Sequence, residues 1–295
     1  MLATQQGITT PFTVHADMAP TIYLTGNPAR TAPVTRAFGR ALGRLTAVNP
    51  YTQQTDMLSV ALADPVGMNA LHMITVDPQR TPTLVMFAHP DYFLFTGAAD
   101  CTPCITVPTT PRTSTFAWNH GGIQPEIAAT WLGIVGPGVR HLGDDTTWAD
   151  HTDTRPTMLT LVGLQDRYEH DGRVLLDQLE AWAVPQALQD HRETLRRLGE
   201  VYKQLNAPFG QFGTDALVIS TEAIKSGTAV DDGVYAGLSN QLQAFTAHRD
   251  ELAAQMKAVL SGATFEGLAV DERQAWRLIG EAENLLARVH NAAQP

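Results

Sequence analysis

Three groups of residues in this chain have types and spacings that could do chemistry. The first is Phe116-Ala-Trp-Asn-His-Gly-Gly122. An imidazole flanked by glycine has open space around it, and imidazole is a common ligand for zinc-type ions. His120 is therefore the candidate metal ligand, and a loop histidine held by local hydrogen bonds is the competing reading. The second group is Asp150-His151, a carboxylate beside an imidazole. Asp153, Thr154 and Pro156 follow it in the order expected at a capped helix start, so capping competes with metal binding there. The third is Cys101-Thr-Pro-Cys104. Thiol redox chemistry needs such a pair at a helix N-terminus, where the dipole lowers a thiol pKa. Here Thr102, Pro103, Thr106 and Pro108 make a loop, which leaves a loop disulfide, idle thiols or a metal site. No catalytic nucleophile is assigned.

The elements that must position these residues change character along the chain. Fifteen of the 18 prolines and seven of the ten histidines precede residue 176. Proline ends helices, so a loop-rich domain over 1–175 and a helical tail over 176–295 are expected. In the first part, short apolar runs end in turn signals: Thr21–Thr25 before Gly26-Asn27-Pro28, Thr83–Ala88 before Pro90, and Thr130–Val135 before Gly136-Pro137-Gly138. These read as buried strands. Helical patterns over Thr35–Leu45 and Pro156–Val162 lie between and after them, the second capped by Asp153 or Thr154. Alternating strands and helices imply an α/β domain with a mainly parallel sheet.

In the second part, apolar residues recur at helical spacing. One stripe holds Leu188, His191, Leu195, Leu198, Tyr202 and Leu205. Another holds Leu238, Leu242, Phe245, Arg249, Leu252 and Met256, and a third Ala275, Ile279, Ala282, Leu286 and Val289. Each stripe lies on one helix face, which predicts a bundle or set of hairpins.

An ordered set of motifs runs through the first part: Asp64-Pro65, Leu71-His72-Met73, Asp77-Pro78, Phe87-x-x-Pro90-Asp91-Tyr92-Phe93, His120-Gly121, Gly136-Pro137-Gly138-Val139, Asp153-x-x-Pro156-Thr157-Met158-Leu159, Gly163-Leu164 and Gly172-Arg173-Val174-Leu175. Over residues 15–175 this resembles the C-terminal stretch of the alkaline phosphatase superfamily, in particular bacterial members like type I phosphodiesterases and nucleotide pyrophosphatases. The resemblance implies an alkaline-phosphatase-like, mainly parallel sheet and a two-metal phosphoryl-transfer site with ions such as zinc. His120 would match the last metal-binding histidine, and Asp153 and Thr157 structural positions. The family's nucleophile block and its earlier Asp and Asp-His ligands have no counterpart here; Asp17 and Asp91 do not reproduce them. The resemblance therefore implies the C-terminal portion of a metal-dependent phosphoric-ester hydrolase, inactive alone. Its substrate would be a phosphate ester, and an exposed sheet edge would be free to associate. The alternative is a non-catalytic structural or interaction protein that keeps the half-fold.

Composition removes several other classes. With 30 acidic and 20 basic side chains the net charge is −10, which opposes nucleic-acid binding. The 44 % of hydrophobic residues is enough for a core and excludes a wholly disordered chain. No apolar run of about 18 residues exists to cross a membrane. The first residues lack the basic and apolar regions of a signal peptide; an extracytoplasmic setting remains open for a full-length parent.

Overall fold

The computed structural model describes residues 2–17, 19–49, 52–94, 105–106 and 121–294. In chain order the elements are α1 (Leu2–Gln6), β1 (Phe12–His15), β2 (Thr21–Leu24), α2 (Pro33–Leu42), β3 (Thr46–Val48), β4 (Thr55–Met57), β5 (Ser59–Ala63), α3 (Pro65–Ala70) and β6 (Leu84–Ala88). There follow β7 (Phe93–Leu94), β8 (Ile105–Thr106), α4 (Pro125–Ala128), α5 (Thr154–Leu161), α6 (Gln186–Asp190) and α7 (Arg192–Asn206). Last come α8 (Gln211–Lys225), α9 (Gly233–Ser261) and α10 (Glu272–Ala293). They form two compact units, Met1–Trp131 with Thr214–Ala244, and Leu132–Gly213 with Phe245–Pro295.

The sheet of the first unit has the order β1-β2-β6-β5. Every pairing in it is antiparallel, which corrects the mainly parallel, alkaline-phosphatase-like sheet expected from the sequence. For β1 and β2, chain length between strands is the physical reason. Five residues separate β1 from β2, whereas a parallel crossover takes a dozen or more. Between β5 and β6 the link, residues 64–83, carries only the six-residue α3 and no helix long enough to pack along the sheet as a parallel crossover does. The chain reverses instead.

Strand β6 is buried along its whole length, and its alternation builds two cores. Leu84 and Met86 enter a cluster with Ile22, Phe38, Leu58 and Leu62. Val85 and Phe87 enter another with Ala61, Met68, Leu71 and Leu217. The edge of β5 is closed by Thr221, whose hydroxyl accepts from the Leu62 N–H at 2.9 Å. Buried Arg36 of α2 donates to the carbonyls of Ala223, Ile224 and Ser226 at the end of α8 and to Asp232, satisfying acceptors that a helix end leaves open.

In the second unit, α7 and α10 bury the expected stripes: Leu195, Leu198, Tyr202 and Leu205 on one, and Ala275, Ile279, Ala282, Leu286 and Val289 on the other. The first stripe is interrupted at His191, where backbone angles of φ −121° and ψ 27° separate α6 from α7. Thr130–Val135 forms no strand, contrary to expectation: it pairs with no strand among the described residues, and its side chains are largely exposed.

The cap of α5 also differs from the expected one. Asp150 caps the short turn His151–Asp153 and accepts from Thr152 N–H at 2.9 Å. The Asp153 carboxylate points back and inward, accepting from the N–H groups of Asp150 and Arg173. The buried Lys203 ammonium joins this turn at 2.8 Å from Asp150 and 3.3 Å from Asp153. Thr157 accepts from Leu175 N–H at 3.0 Å.

Gly172 is fixed by this packing, because a Cβ there would stand 2.0 Å from the Thr152 carbonyl oxygen. Gly172→Ala is expected to cost about 2–4 kcal/mol, since backbone must move. Exposed Gly280 of α10 has open space at its Cβ position, and Gly280→Ala is expected to stabilise by about 0.5–1 kcal/mol. Urea unfolding of the two variants should give midpoint shifts of opposite sign.

Candidate metal centre

Three side chains that can ligate a metal converge in the first unit: Asp56, His89 and Asp91, each with one ligand atom within 4.8 Å of the others. Two pieces of chain bring them together. Asp56 sits on β4 opposite Ala47 of β3, in a hairpin whose turn is held by Asn49. The Asn49 N–H donates to Gln54 O at 2.8 Å, its carbonyl accepts from Gln53 N–H at 2.8 Å, and its Oδ1 accepts from Thr52 N–H at 3.3 Å. His89 and Asp91 leave the end of β6. The His89 N–H donates to Leu58 O at 2.9 Å, directly after β4, which ties the two pieces together. Pro90 cannot donate to a sheet ladder, so the chain turns there, closed by Tyr92 N–H to His89 O at 3.0 Å.

Beneath the three candidate ligands lies a buried polar floor. The Asn49 side-chain amide donates to Asp56 Oδ2 at 3.0 Å and to Asp91 Oδ2 at 3.3 Å, so one amide nitrogen bridges two carboxylates. The Tyr92 hydroxyl donates to Asp56 Oδ2 at 2.8 Å, and its ring meets the His89 ring edge-on at 5.5 Å. The phenol and the Asn49 amide hold the Asp56 carboxyl below its ordinary range. Burial, reinforced by the Asp56 charge, pushes the Tyr92 phenol up to about 12. His89 Nδ1 lies 3.3 Å from Asp91 N–H, which fixes the orientation of the ring.

Two carboxylates and one imidazole form a mixed oxygen and nitrogen donor set suited to zinc, manganese and similar divalent ions. Three protein ligands leave coordination positions open for water or substrate, as catalytic sites require.

The residues singled out in the sequence fall elsewhere. His120 lies outside the described residues, as do Cys101 and Cys104. Gly121, the residue after His120, has φ +92°, and a Cβ there would stand 2.8 Å from Asp17 Oδ1. Three residues on, the Gln124 amide donates to Ala88 O at 2.9 Å, which docks this segment against the end of β6. Asp150 takes the capping alternative, and His151 is exposed beside it. Asp91 was visible only as part of a motif. His89-Pro-Asp91 at the close of a buried strand is a local signal for a ligand pair. Asp56 has no such signal, because its partner residues lie more than 30 positions downstream. No protein-family model, curated protein or solved structure matches this chain.

The Tyr92–Asp56 contact gives a pH prediction with a worked sign. A depressed folded-state carboxyl contributes stability above its unfolded pKa and loses it as pH falls through the folded value. A raised phenol contributes below its unfolded pKa and loses that as pH climbs toward about 12. Tyr92→Phe removes both, so the gap in melting temperature between wild type and variant should be level from mildly acidic to mildly basic pH. It should close toward strong acid and toward strong base. A gap that stayed constant across the whole pH range in thermal melts would show that the Tyr92–Asp56 contact does not depend on the ionisation of either group.

Proposed function

We propose that this chain binds a divalent transition-metal ion through Asp56, His89 and Asp91 and serves phosphoric-ester hydrolysis of the type its motifs resemble. The observation that carries the reading is the convergence of those three side chains from two separate chain segments, over an amide that bridges both carboxylates. Metal ions of this class, when bound, acidify water and polarise a phosphoryl oxygen. The chain's own residues do the rest. Asp56 and Asp91 supply the negative charge that attracts a cation, and Tyr92 and Asn49 keep Asp56 ionised and oriented. His89 supplies the nitrogen donor. The resemblance adds His120 as a further ligand. Support from the fold is narrower than the resemblance implied, since the antiparallel sheet is not the frame of that superfamily.

One observation favours a non-catalytic reading. Asp56 is already hydrogen-bonded by Tyr92 and Asn49, so the cluster can serve as a polar staple between the hairpin and the end of β6 without any ion.

Calorimetric titration with zinc or manganese separates the two readings. The metal reading expects one-site binding, with His89→Ala and Asp91→Asn each weakening it at least about tenfold and His120→Ala weakening it less. With the same metals, the hydrolase reading expects no turnover of an aryl phosphate monoester or diester by this chain alone, whose nucleophile block has no counterpart, and metal-dependent turnover would show a complete site. No heat of binding, with unfolding midpoints lowered in the same variants, would leave the staple.

A further inference from the structure

Helix α5 is built inside out. Its buried residues are Pro156, Thr157 and Thr160, packed beside the fully buried Asp153. Two of its apolar residues point outward, Met158 at 60 % exposed and Val162, at its end, at 65 %, while Leu159 and Leu161 are half-buried. The polar interior is satisfied, since Thr157 accepts from Leu175 N–H and the Thr160 hydroxyl donates to Pro156 O. The outward face therefore cannot turn in without stranding those groups.

This face continues onto its neighbours within the same unit. Arg155, Met158 and Val162 follow helical spacing on one side, and the Arg155 guanidinium lies 4.8 Å over the ring of Tyr168, itself 65 % exposed. On the other side, Leu161 and the indole of Trp182 flank Gly138, reaching within 3.2 and 3.7 Å of where a Cβ would stand there. Trp182 is 72 % exposed, and Leu164 extends the face beyond the helix end. The charges set into it, Arg155 and Asp166, pair with each other at 2.6 Å. These side chains make an apolar, partly aromatic surface on which Arg155 and Asp166 neutralise each other, with Arg167 and Glu169 exposed at its margin beside Tyr168.

We propose that this face is a homodimer interface, covered by the same face of a second copy of the chain about a two-fold axis. Area and charge both argue for that occupant. At these exposures, the aromatic and aliphatic side chains offer roughly 450 Å² per copy, thus roughly 900 Å² for a pair before backbone and Leu161 are counted, close to the 1,000 Å² that a specific interface needs. A net charge of −10 makes copies repel over most of their surface, so they meet best where charges are already paired, as Arg155 and Asp166 are. A two-fold arrangement also lets each Arg155 face the other copy's Asp166 without adding charge. The same acidity disfavours an anionic bilayer as the occupant.

Sedimentation velocity of the full chain, over concentrations of about 1–200 µM, tests this. The wild type should shift from monomer to dimer within that range, and Trp182→Glu combined with Val162→Glu should stay monomeric, with at least a thirtyfold weaker association. Hydrogen–deuterium exchange of the wild type gives a second measurement that needs no variant. Amides of 158–164 and 180–184 should exchange more slowly at the concentration where dimer forms. A monomer throughout, a dimer that survives both glutamates, or concentration-independent exchange over those segments would overturn the proposal. So would association that appears only on added lipid vesicles.

Discussion

Strand β6 is the constraint on which the first unit depends. Five consecutive apolar residues, buried on both faces, need a layer on each side, and the alternation of a strand sends Leu84 and Met86 one way and Val85 and Phe87 the other. The flanking strands, α2 and α8 are the material of those layers. The end of this strand also carries the candidate site. Because Leu84–Ala88 is fixed by packing on both sides, His89 and Asp91 leave it in a defined direction, and the hydrogen bond from His89 N–H to Leu58 O holds the β4 side against them. A site placed at the end of a rigid strand keeps its donors in place without depending on loop packing alone.

In the second unit, buried polar chemistry has the comparable role. Lys203 of α7 reaches a turn where Asp150 and Asp153 meet, and Arg173 donates its backbone N–H to Asp153 and a guanidinium N–H to Trp148 O. Burial pushes the Asp153 carboxyl up, against the pull of Lys203 and the Arg173 N–H. Removing one member of such a group leaves another charge buried without compensation, which is why these groups specify one arrangement even where their net stabilisation is small. The same turn makes α5 present Thr157 and Thr160 inward and Met158 outward, with Val162 exposed at its end. An exposed apolar face is thus a consequence of how the interior was satisfied.

The candidate site and the proposed interface sit in different units, and they rest on different physics. The first is a matter of charge: two carboxylates drawn together over an amide and a phenol hydroxyl. The second is a matter of area, with neutral apolar surface left in water. A change in metal affinity and a change in oligomeric state can therefore be produced by separate substitutions.

The sequence by itself determined the local pieces. The apolar runs at Thr21–Thr25 and Thr83–Ala88 became β2 and β6 because short runs closed by Gly or Pro are strands when both faces find cover. The spacing of Leu195, Leu198, Tyr202 and Leu205, and of the stripe on α10, described helix faces that are buried. Local patterns cannot report what lies beside a segment, and only the tertiary structure decided that. It set the strand directions, which a short link dictates only between β1 and β2. It left Thr130–Val135 without a ladder, because a β-prone run becomes a strand only when an edge is offered to it. It gave the Asp150 carboxylate to Thr152 and Lys203. And it brought Asp56 to His89 and Asp91, across more than 30 residues, because a hairpin and a buried strand end at the same place in space.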